Sequence, residues 1–333
     1  MIRIGILGTG HLGKIHLQCL QTLPQYQVTG FYDTDPSVSR HVAEKFGIKA
    51  FSSPEQLIAG SDTVDIVTTT STHYALAKLA INSGKHAFIE KPVTSELHEA
   101  QELMKLAVQK GVKVQVGHVE RFNPAMLAIK DMILEPRFIE VHRLSPFNPR
   151  GTEVSVVLDL MIHDLDILLH INPTPVARIF ANGVSIVSNN PDIANARIEW
   201  ENGCVANVTA SRISLKSMRK MRLFQDNAYV GIDFLEKTAQ IIRLMDATGH
   251  ASDQTGDGLI LDTPKGRRKV HIEIPEVKQE NAIQIEFINF YKVVTGSEEP
   301  VVGLKEACNA LELAHRISES INKSSRSINV QTE

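Results

Sequence analysis

The first 120 residues alternate short apolar runs with longer segments whose apolar residues recur at helical spacing. The apolar runs predict strands at Arg3–Leu7, Gln27–Tyr32, Val64–Thr68, His86–Ile89 and Lys113–Val116. The segments between them predict helices at Gly13–Thr22, Ser37–Phe46, Pro54–Gly60, His73–Ser83 and Ser95–Lys110. Strands that alternate with helices through short loops form a parallel sheet covered on both faces. Residues 1–120 are therefore predicted to form an α/β domain.

From residue 121 onward the pattern changes to strands in which apolar and polar residues alternate. Strands are predicted at Phe138–Leu144, Val176–Val187, Ala194–Trp200, Val205–Arg212, Lys220–Gln225, Ala228–Asp233, Ala239–Leu244 and Lys269–Ile274. Helices are predicted at Asn123–Leu134, Val154–Ile171, Glu280–Thr295 and Leu304–Ser320. Such strands build a mainly antiparallel sheet with one packed face and one open face. Residues 121–333 are thus predicted to be an α+β domain whose open sheet joins copies of the chain into a homodimer or homotetramer.

Composition narrows the class of protein. The chain has 333 residues, 43% hydrophobic content and a net charge of −3, which indicates a globular protein without a global attraction to nucleic acid or to anionic membranes. Three widely spaced cysteines indicate neither a zinc knuckle nor a redox dithiol. Since the apolar runs are too short for a signal peptide or a membrane span, we expect a cytoplasmic protein.

The first strand runs directly into Gly8-x-Gly10-x-x-Gly13. A glycine permits the tight turn at Gly8, lets a phosphate approach the backbone at Gly10 and allows the helix to pack against the strand at Gly13. The new helix then presents free N–H groups to the pyrophosphate of a dinucleotide. His11 and Leu12 lie inside the same turn, and we include them among the predicted cofactor-binding residues.

Asp33 lies twenty positions beyond Gly13, at the end of the next apolar run. A carboxylate at this place accepts hydrogen bonds from an adenosine ribose and repels a 2′-phosphate. No arginine follows immediately, since Arg40 is seven residues further on. The sequence therefore predicts a Rossmann dinucleotide-binding domain that prefers NAD to NADP.

Four polar residues form a stripe on the otherwise apolar helix predicted at Val154–Ile171. Asp159, His163, Asp166 and His170 fall within about 60° of arc on an ideal helix. The stripe either faces water or satisfies core hydrogen bonds, or it forms the wall of a site in which His163 exchanges protons and Asp159 orients it.

A lysine in the sequence Glu90-Lys91-Pro92 follows the strand His86–Ile89. Ligands of open parallel sheets bind beyond the carboxyl ends of the strands, so Lys91 is well placed to meet a nicotinamide ring and a substrate hydroxyl. The alternative is an exposed lysine before a loop proline. The sequence leaves open whether the Pro92 peptide bond is cis.

Three motifs together resemble the Gfo/Idh/MocA family, which includes glucose–fructose oxidoreductase and inositol dehydrogenase. They are the glycine turn at residues 8–13, Gly84-Lys85-His86 followed by Glu90-Lys91-Pro92, and Asp159-x-x-x-His163. The resemblance covers nearly the whole chain and implies a dinucleotide-binding domain followed by an α+β domain with an open sheet.

The resemblance also implies roles for individual residues. Lys91 would contact nicotinamide and substrate, Glu90 would lie near the nicotinamide ribose, and His163 would be the acid/base group beside Asp159. The segment Thr68–His73 matches the family's Thr-Pro-Asn-x-x-His, with Thr69 and Thr70 in place of proline and asparagine. Thr68 and His73 are accordingly predicted to bind the cofactor.

A narrower resemblance concerns Gly117–Pro124 and Asp159–Asp164, which are similar to the UDP-N-acetylglucosamine 3-dehydrogenase-like branch. We expect hydride transfer between NAD and a sugar, nucleotide-sugar or cyclic-polyol carbon, with UDP-N-acetyl-hexosamine oxidation at C3 favoured. Arg121 and Asn123 are predicted to bind this small-molecule substrate together with Asp159 and His163. The alternatives are an inositol or free-sugar dehydrogenase, an NAD-dependent glycosidase, a non-catalytic NAD-sensing protein, and a metal-dependent hydrolase built on His163-Asp164.

Overall fold

The computed structural model describes residues 1–148, 154–246 and 259–330, which group into two compact units. The first unit contains Met1–Phe122 and Glu280–Leu313, and the second contains Asn123–Gln279 and Ala314–Glu333. This division differs from a single cut at residue 120, because residues 280–313 pack with the first 122. Among the described residues, no helix is both long and apolar enough to cross a bilayer.

The first unit is built on a parallel sheet with the strand order β2-β1-β3-β4-β5. Its strands are β1 Ile2–Leu7, β2 Tyr26–Tyr32, β3 Thr63–Ile66, β4 His86–Glu90 and β5 Val114–Gly117. Its helices are α1 His11–Thr22, α2 Pro36–Phe46, α3 Pro54–Ala59, α4 Thr70–Asn82 and α5 Leu97–Lys110, followed by a 3-10 turn at Val119–Phe122. All five predicted strands and all five predicted helices are confirmed, with shifts of up to three residues at their ends.

Helix α8, Ala282–Val294, belongs to the core of this first unit. Phe287 and Phe290 of α8 are fully buried against Phe88 of β4, and the hydroxyl of Tyr26 donates to the carbonyl of Phe287 over 2.8 Å. Aromatic side chains bury large apolar areas, so this helix is an integral part of the unit rather than an addition to it.

The second unit contains a sheet with the strand order β13-β14-β12-β11-β10-β6-β9-β8-β7. Its strands are β6 Phe138–Leu144, β7 Val176–Val184, β8 Ile193–Trp200, β9 Val205–Ser211, β10 Met218–Gln225, β11 Ala228–Asp233, β12 Thr238–Asp246, β13 Ile260–Thr263 and β14 Gly266–Glu273. Its helical segments are α6 Pro124–Leu127, a π-helical turn at Val157–Met161, α7 Ile162–Ile171 and the second part of α9 Leu304–Val330. Alternate residues of β6 are buried and the others are half-buried, which confirms the predicted packed face of the sheet.

Several details of the second unit differ from the sequence prediction, among them the end of α9, which was predicted at Ser320 and lies at Val330. The helix predicted at Asn123–Leu134 ends at Leu127, because the following residues form successive three-residue turns. Strand β13 was not predicted, since its residues are largely exposed and lack a buried alternation. Strand β6 pairs in parallel with β9, and the sequence prediction of a mainly antiparallel sheet did not locate this pairing.

A buried carboxylate organises the loop between β7 and β8. Asp192 accepts hydrogen bonds from the backbone N–H groups of Ile186, Val187 and Ser188, and from the Ser188 hydroxyl over 2.7 Å. Burial by itself would raise the pKa of Asp192, but these donors outweigh it and lower the pKa to about 2. The ionised form is therefore the one that the folded loop favours.

We expect Asp192→Ala to destabilise the second unit by about 1–3 kcal/mol, because the backbone N–H groups of Ile186, Val187 and Ser188 lose a charged acceptor. Asp192→Asn retains the shape and removes the charge. Since the folded pKa lies below the ordinary value near 4, the charge stabilises the fold above about pH 4, and this contribution is lost as the pH falls towards about 2.

Unfolding followed by the fluorescence of Trp200, the one tryptophan of the sequence and buried in this unit, measures both effects. The advantage of the wild type over Asp192→Asn should shrink between about pH 4 and about pH 2. An advantage that stayed constant over this range would contradict the assigned ionised acceptor.

Candidate active site

A cavity of about 600 Å³ lies at the carboxyl edge of β1, β2 and β3. Six of the predicted cofactor-binding residues line it: Gly8, Gly10, His11, Leu12, Asp33 and Thr68. Its wall also includes apolar or aromatic side chains of Tyr32, Pro54, Val67 and Leu76. A cavity of this size, lined by both polar and apolar residues, suits an adenosine diphosphate group.

Two of the three glycines in the turn, Gly8 and Gly13, are required by close contacts. Gly8 has φ +92°, and a Cβ on it would lie 2.9 Å from the carbonyl oxygen of Val67. A Cβ on Gly13 would collide with the carbonyl oxygen of Gly8, so α1 packs directly on the end of β1. A Cβ on Gly10 would meet open space, which leaves room for a phosphate beside the N-terminus of α1. The residues present therefore fit a dinucleotide.

The Asp33 carboxylate is held in place at the end of β2. Its Oδ2 accepts from the backbone N–H of Thr9 over 2.7 Å and from the Thr9 hydroxyl over 2.9 Å, while Oδ1 accepts from the N–H of Asp35 over 3.0 Å. Each carboxylate oxygen has two lone pairs, so Oδ1 keeps capacity for a ribose hydroxyl. Thr9 is thus an orienting residue that sequence reasoning did not identify.

His73 is buried on α4, outside the lining of the cavity. Its Nδ1 lies 2.9 Å from the carbonyl oxygen of Pro92, and its Nε2 lies 3.2 Å from that of Thr68. Burial lowers the pKa of His73, although the two carbonyl groups act in the opposite direction. His73 therefore supports the Lys91–Pro92 turn, and the contact with the cofactor that the sequence predicted stays a prediction.

Glu90 and Lys91 lie at the end of β4 in the same unit. The Lys91–Pro92 peptide bond is cis, which answers the question left open by the sequence. The buried Glu90 carboxylate accepts the backbone N–H of Lys91 over 3.1 Å. Glu90 also meets His16 of α1, which in turn meets Asp65 of β3. Neither His16 nor Asp65 was predicted, although both lie on predicted elements.

Asp159 and His163 lie at the start of the helix that the polar stripe indicated. Asp159 belongs to the π-helical turn, and His163 is the second residue of α7; both are half-buried. The other members of the stripe differ from them, since Asp166 is buried and His170 is exposed. Single π-helical turns are frequent at functional sites, because they change the direction of the side chains they carry.

Asp164 forms a buried ion pair with Arg143 of β6. Two hydrogen bonds of 2.7 and 2.8 Å join the guanidinium to both carboxylate oxygens. This bidentate pair fixes α7 on the sheet. It also commits the Asp164 carboxylate to Arg143, which argues against a hydrolase metal site at His163-Asp164.

Arg121 and Asn123, which were predicted to bind the substrate, have different local surroundings. The Asn123 side chain caps α6 through Ala125 N–H over 3.0 Å and donates to the carbonyl of Phe234 over 3.0 Å. Both ends of its amide therefore have structural partners, and its binding of a substrate remains a prediction. Arg121 is buried in the 3-10 turn Val119–Phe122, and its role in binding remains a prediction.

The fold and the glycine turn define an NAD-binding oxidoreductase with a sheet-based second domain. Residues 2–118 match the oxidoreductase family with an NAD-binding Rossmann fold, and residues 135–229 match the GFO/IDH/MocA C-terminal domain. The chain belongs to the Gfo/Idh/MocA family, as the sequence motifs implied.

Individual relatives are dehydrogenases. The UDP-N-acetylglucosamine 3-dehydrogenase of Acidithiobacillus ferrooxidans is 38% identical over 241 residues, covering 72% of this chain and 76% of that protein. A solved structure of that enzyme matches with a TM-score of 0.85 at 31% identity, covering 96% of this chain and 97% of the other. The myo-inositol 2-dehydrogenase of Thermotoga maritima is 22% identical over 341 residues, covering 97% of both chains.

Proposed function

We propose that this protein oxidises a UDP-N-acetyl-hexosamine at C3 of the sugar ring, with NAD+ as the hydride acceptor. The observation that carries the substrate class is the 38% identity to the Acidithiobacillus ferrooxidans enzyme over 241 residues. The cavity beside Gly10 and Asp33 supports the cofactor half of the proposal. The reaction converts the ring C–OH to a ketone and NAD+ to NADH, and it releases one proton.

The residues of this chain have separate tasks in the proposed reaction. Gly8, Gly10 and the N-terminus of α1 hold the pyrophosphate, and Asp33 accepts hydrogen bonds from the adenosine ribose. Lys91 donates a hydrogen bond to the reacting oxygen and stabilises the negative charge that develops there. His163 takes the hydroxyl proton, with Asp159 as its orienting partner. NAD supplies the hydride chemistry, and the protein supplies alignment.

A substrate labelled with deuterium at C3 tests both the activity and the position. UDP-N-acetylglucosamine with deuterium at C3 should give deuterated NADH and a ketone, whereas deuterium at C4 should remain in the sugar. Myo-inositol, scyllo-inositol and glucose are tested as alternative substrates in the same assay. Preferred oxidation of an inositol would replace the substrate assignment, and glycoside cleavage without NADH accumulation would indicate a glycosidase. Binding of NAD without any turnover would indicate a sensing protein.

Asp33→Asn is expected to reduce the preference for NAD+ over NADP+ by about tenfold or more, because a hydrogen bond to a charged group contributes about 1.5–3 kcal/mol. The same change removes the repulsion of a 2′-phosphate. Dissociation constants for NADH and NADPH, measured by fluorescence titration, give the ratio. Glu44, an exposed carboxylate on α2, provides the control variant Glu44→Gln. Tighter binding of NADPH by the wild type would disprove the role of Asp33.

We also propose that the open face of the second unit's sheet joins copies of the chain into a dimer or tetramer. Phe180 and Val184 of β7, Phe224 of β10 and Leu244 of β12 are exposed. Phe224 also stacks with Phe138 and Tyr229 at ring distances of 5.9 and 5.2 Å. Exposed apolar residues in such number on a sheet are typical of an interface. Light scattering during gel filtration tests this, and a monomer at micromolar concentration would contradict it.

The three cysteines, Cys19, Cys204 and Cys308, are free and buried. Free buried thiols suit a reducing compartment, so we propose the cytoplasm as the location.

A further inference from the structure

Three ionisable side chains are buried in a line within the first unit. His16 of α1 lies between Asp65 of β3 and Glu90 of β4, with Nδ1 3.0 Å from Asp65 Oδ2 and Nε2 3.3 Å from Glu90 Oε1. The side chains of His16 and Asp65 are 1% and 0% exposed, and that of Glu90 is 9% exposed. Buried charges are costly unless they are paired, so the charges of these three side chains must stabilise one another.

The ring of His16 meets a carboxylate at each nitrogen. Burial alone would lower the pKa of His16, but Asp65 and Glu90 outweigh it and raise the pKa well above the ordinary value. In the protonated form, which this shift favours, each ring nitrogen has an N–H that can donate to a different carboxylate. The edges of Phe88 and Phe287, with ring centroids 5.9 and 5.2 Å away, fix the plane of the ring.

The Glu90 carboxylate is restrained from several directions. His16 contacts Oε1, and the backbone N–H of Lys91 donates to Oε2 over 3.1 Å. Gly117 pairs with Glu90 across β4 and β5, and a Cβ on Gly117 would lie 2.6 Å from Glu90 Oε1. The carboxylate thus occupies space that only a glycine leaves free. The Lys91 charge and His16 both lower the pKa of Glu90, against the effect of burial.

The other side of the same turn is held by His73, whose Nδ1 lies 2.9 Å from the Pro92 carbonyl oxygen. Two histidines from different helices therefore fix the segment Glu90–Pro92, His16 from α1 and His73 from α4. Lys91 lies between the two fixed residues, and the direction of its backbone is set by both.

We propose that His16 is a positioning residue for the reaction: through Glu90 it fixes the Lys91 turn at the place where hydride transfer requires it. This inference rests on the proposed function of Lys91. Asp65 holds the other side of the imidazole. Each residue thus holds the next in the order Asp65, His16, Glu90 and Lys91. A purely structural role, in which the three groups only stabilise the sheet, makes different predictions.

Two near-isosteric variants separate these roles. The amide of asparagine reaches about as far as Nδ1 of histidine, so His16→Asn retains the Asp65 contact and loses Glu90. The amide of glutamine reaches about as far as Nε2, so His16→Gln retains the Glu90 contact. We expect His16→Asn to lower kcat by about 10–100-fold, because small displacements of a catalytic group have effects of this size. His16→Gln should retain most of kcat, and NAD+ affinity should be unchanged in both variants.

A double-variant cycle tests whether the effect passes through Glu90. If it does, His16→Asn combined with Glu90→Gln loses no more kcat than Glu90→Gln alone. Wild-type kcat in folded His16→Asn, or losses that multiply in the double variant, would overturn the proposal. So would equal loss of thermal stability, NAD+ affinity and kcat in both His16 variants.

A readout without substrate separates this inference from the proposed function. Labelling of Lys91 by pyridoxal phosphate and borohydride, followed by mass spectrometry, is compared with labelling of the exposed Lys110 at the end of α5. The ratio of the two rates should change in His16→Asn and stay near the wild-type value in His16→Gln. Oxidation of no sugar by the wild type would refute the proposed function, while an unchanged ratio in His16→Asn would refute the role of His16.

Discussion

Replacement of His163 by alanine is expected to lower kcat for sugar oxidation by about 10²–10⁴-fold, the usual contribution of a general acid/base group. NAD+ affinity should be unchanged, because the cavity that contains Gly10 and Asp33 belongs to the other unit. His163 lies close after a π-helical turn and is half-buried, so part of its side chain is exposed.

The matched control is His170→Ala on the same helix, seven residues further on. His170 is exposed, and its loss should leave kcat within the error of the wild type. Steady-state kinetics with NAD+ and the best of the tested substrates gives kcat and KM for each variant. Near-normal turnover of His163→Ala would remove His163 from the mechanism, and the same measurement on Lys91→Ala would decide the role of Lys91.

Asp164→Ala is expected to destabilise the second unit by about 3–5 kcal/mol, because it leaves the buried Arg143 without its carboxylate partner. Arg143 and Asp164 are 3% and 1% exposed, so water cannot replace the lost partner. Denaturant unfolding followed by Trp200 fluorescence reports on this unit, since the buried Trp200 is the one tryptophan of the sequence.

An exposed ion pair in the same unit provides the control. Arg137 and Asp226 are 67% and 79% exposed, and Asp226→Ala should change the free energy of unfolding by about 0–1 kcal/mol. The double variant Arg143→Met with Asp164→Leu should recover much of the loss, since it removes both charges. Equal effects of Asp164→Ala and Asp226→Ala on the free energy of unfolding would show that the buried pair contributes no more to stability than the exposed pair.

The sequence predicted most of the strands, because the side chains of a strand meet the core with a period of two wherever one face is buried. It missed β13, whose residues are exposed on both faces and pair only with β14 among the described strands. It also overestimated the helix that begins after Asn123. Residues 128–132 continue as hydrogen-bonded turns, and an apolar pattern does not distinguish such turns from an α-helix.

The sequence predicted the cofactor-binding turn of the candidate site better than the contacts of its other residues. The glycine turn and Asp33 are close in sequence, and their spacing is typical of a dinucleotide site. Six of the residues predicted to bind the cofactor do line one cavity. His73 and Asn123 were predicted to bind ligands, which stays a prediction, and the structure adds that their side chains contact the backbone of Pro92 and of Phe234. A polar residue type indicates that a partner is needed, but it does not indicate which partner.

The sequence by itself determined the class of fold, the dinucleotide turn and the positions of Lys91 and His163, because each depends on neighbours within a few residues along the chain. Only the tertiary structure decided which distant elements meet. It brought α8 into the first unit, placed β6 in parallel with β9, and paired Arg143 with Asp164. It also brought His16, Asp65 and Glu90 into one buried line. The physical reason is that a buried charge must find an opposite charge in space, and residues 16, 65 and 90 become neighbours only when three elements pack around the same core.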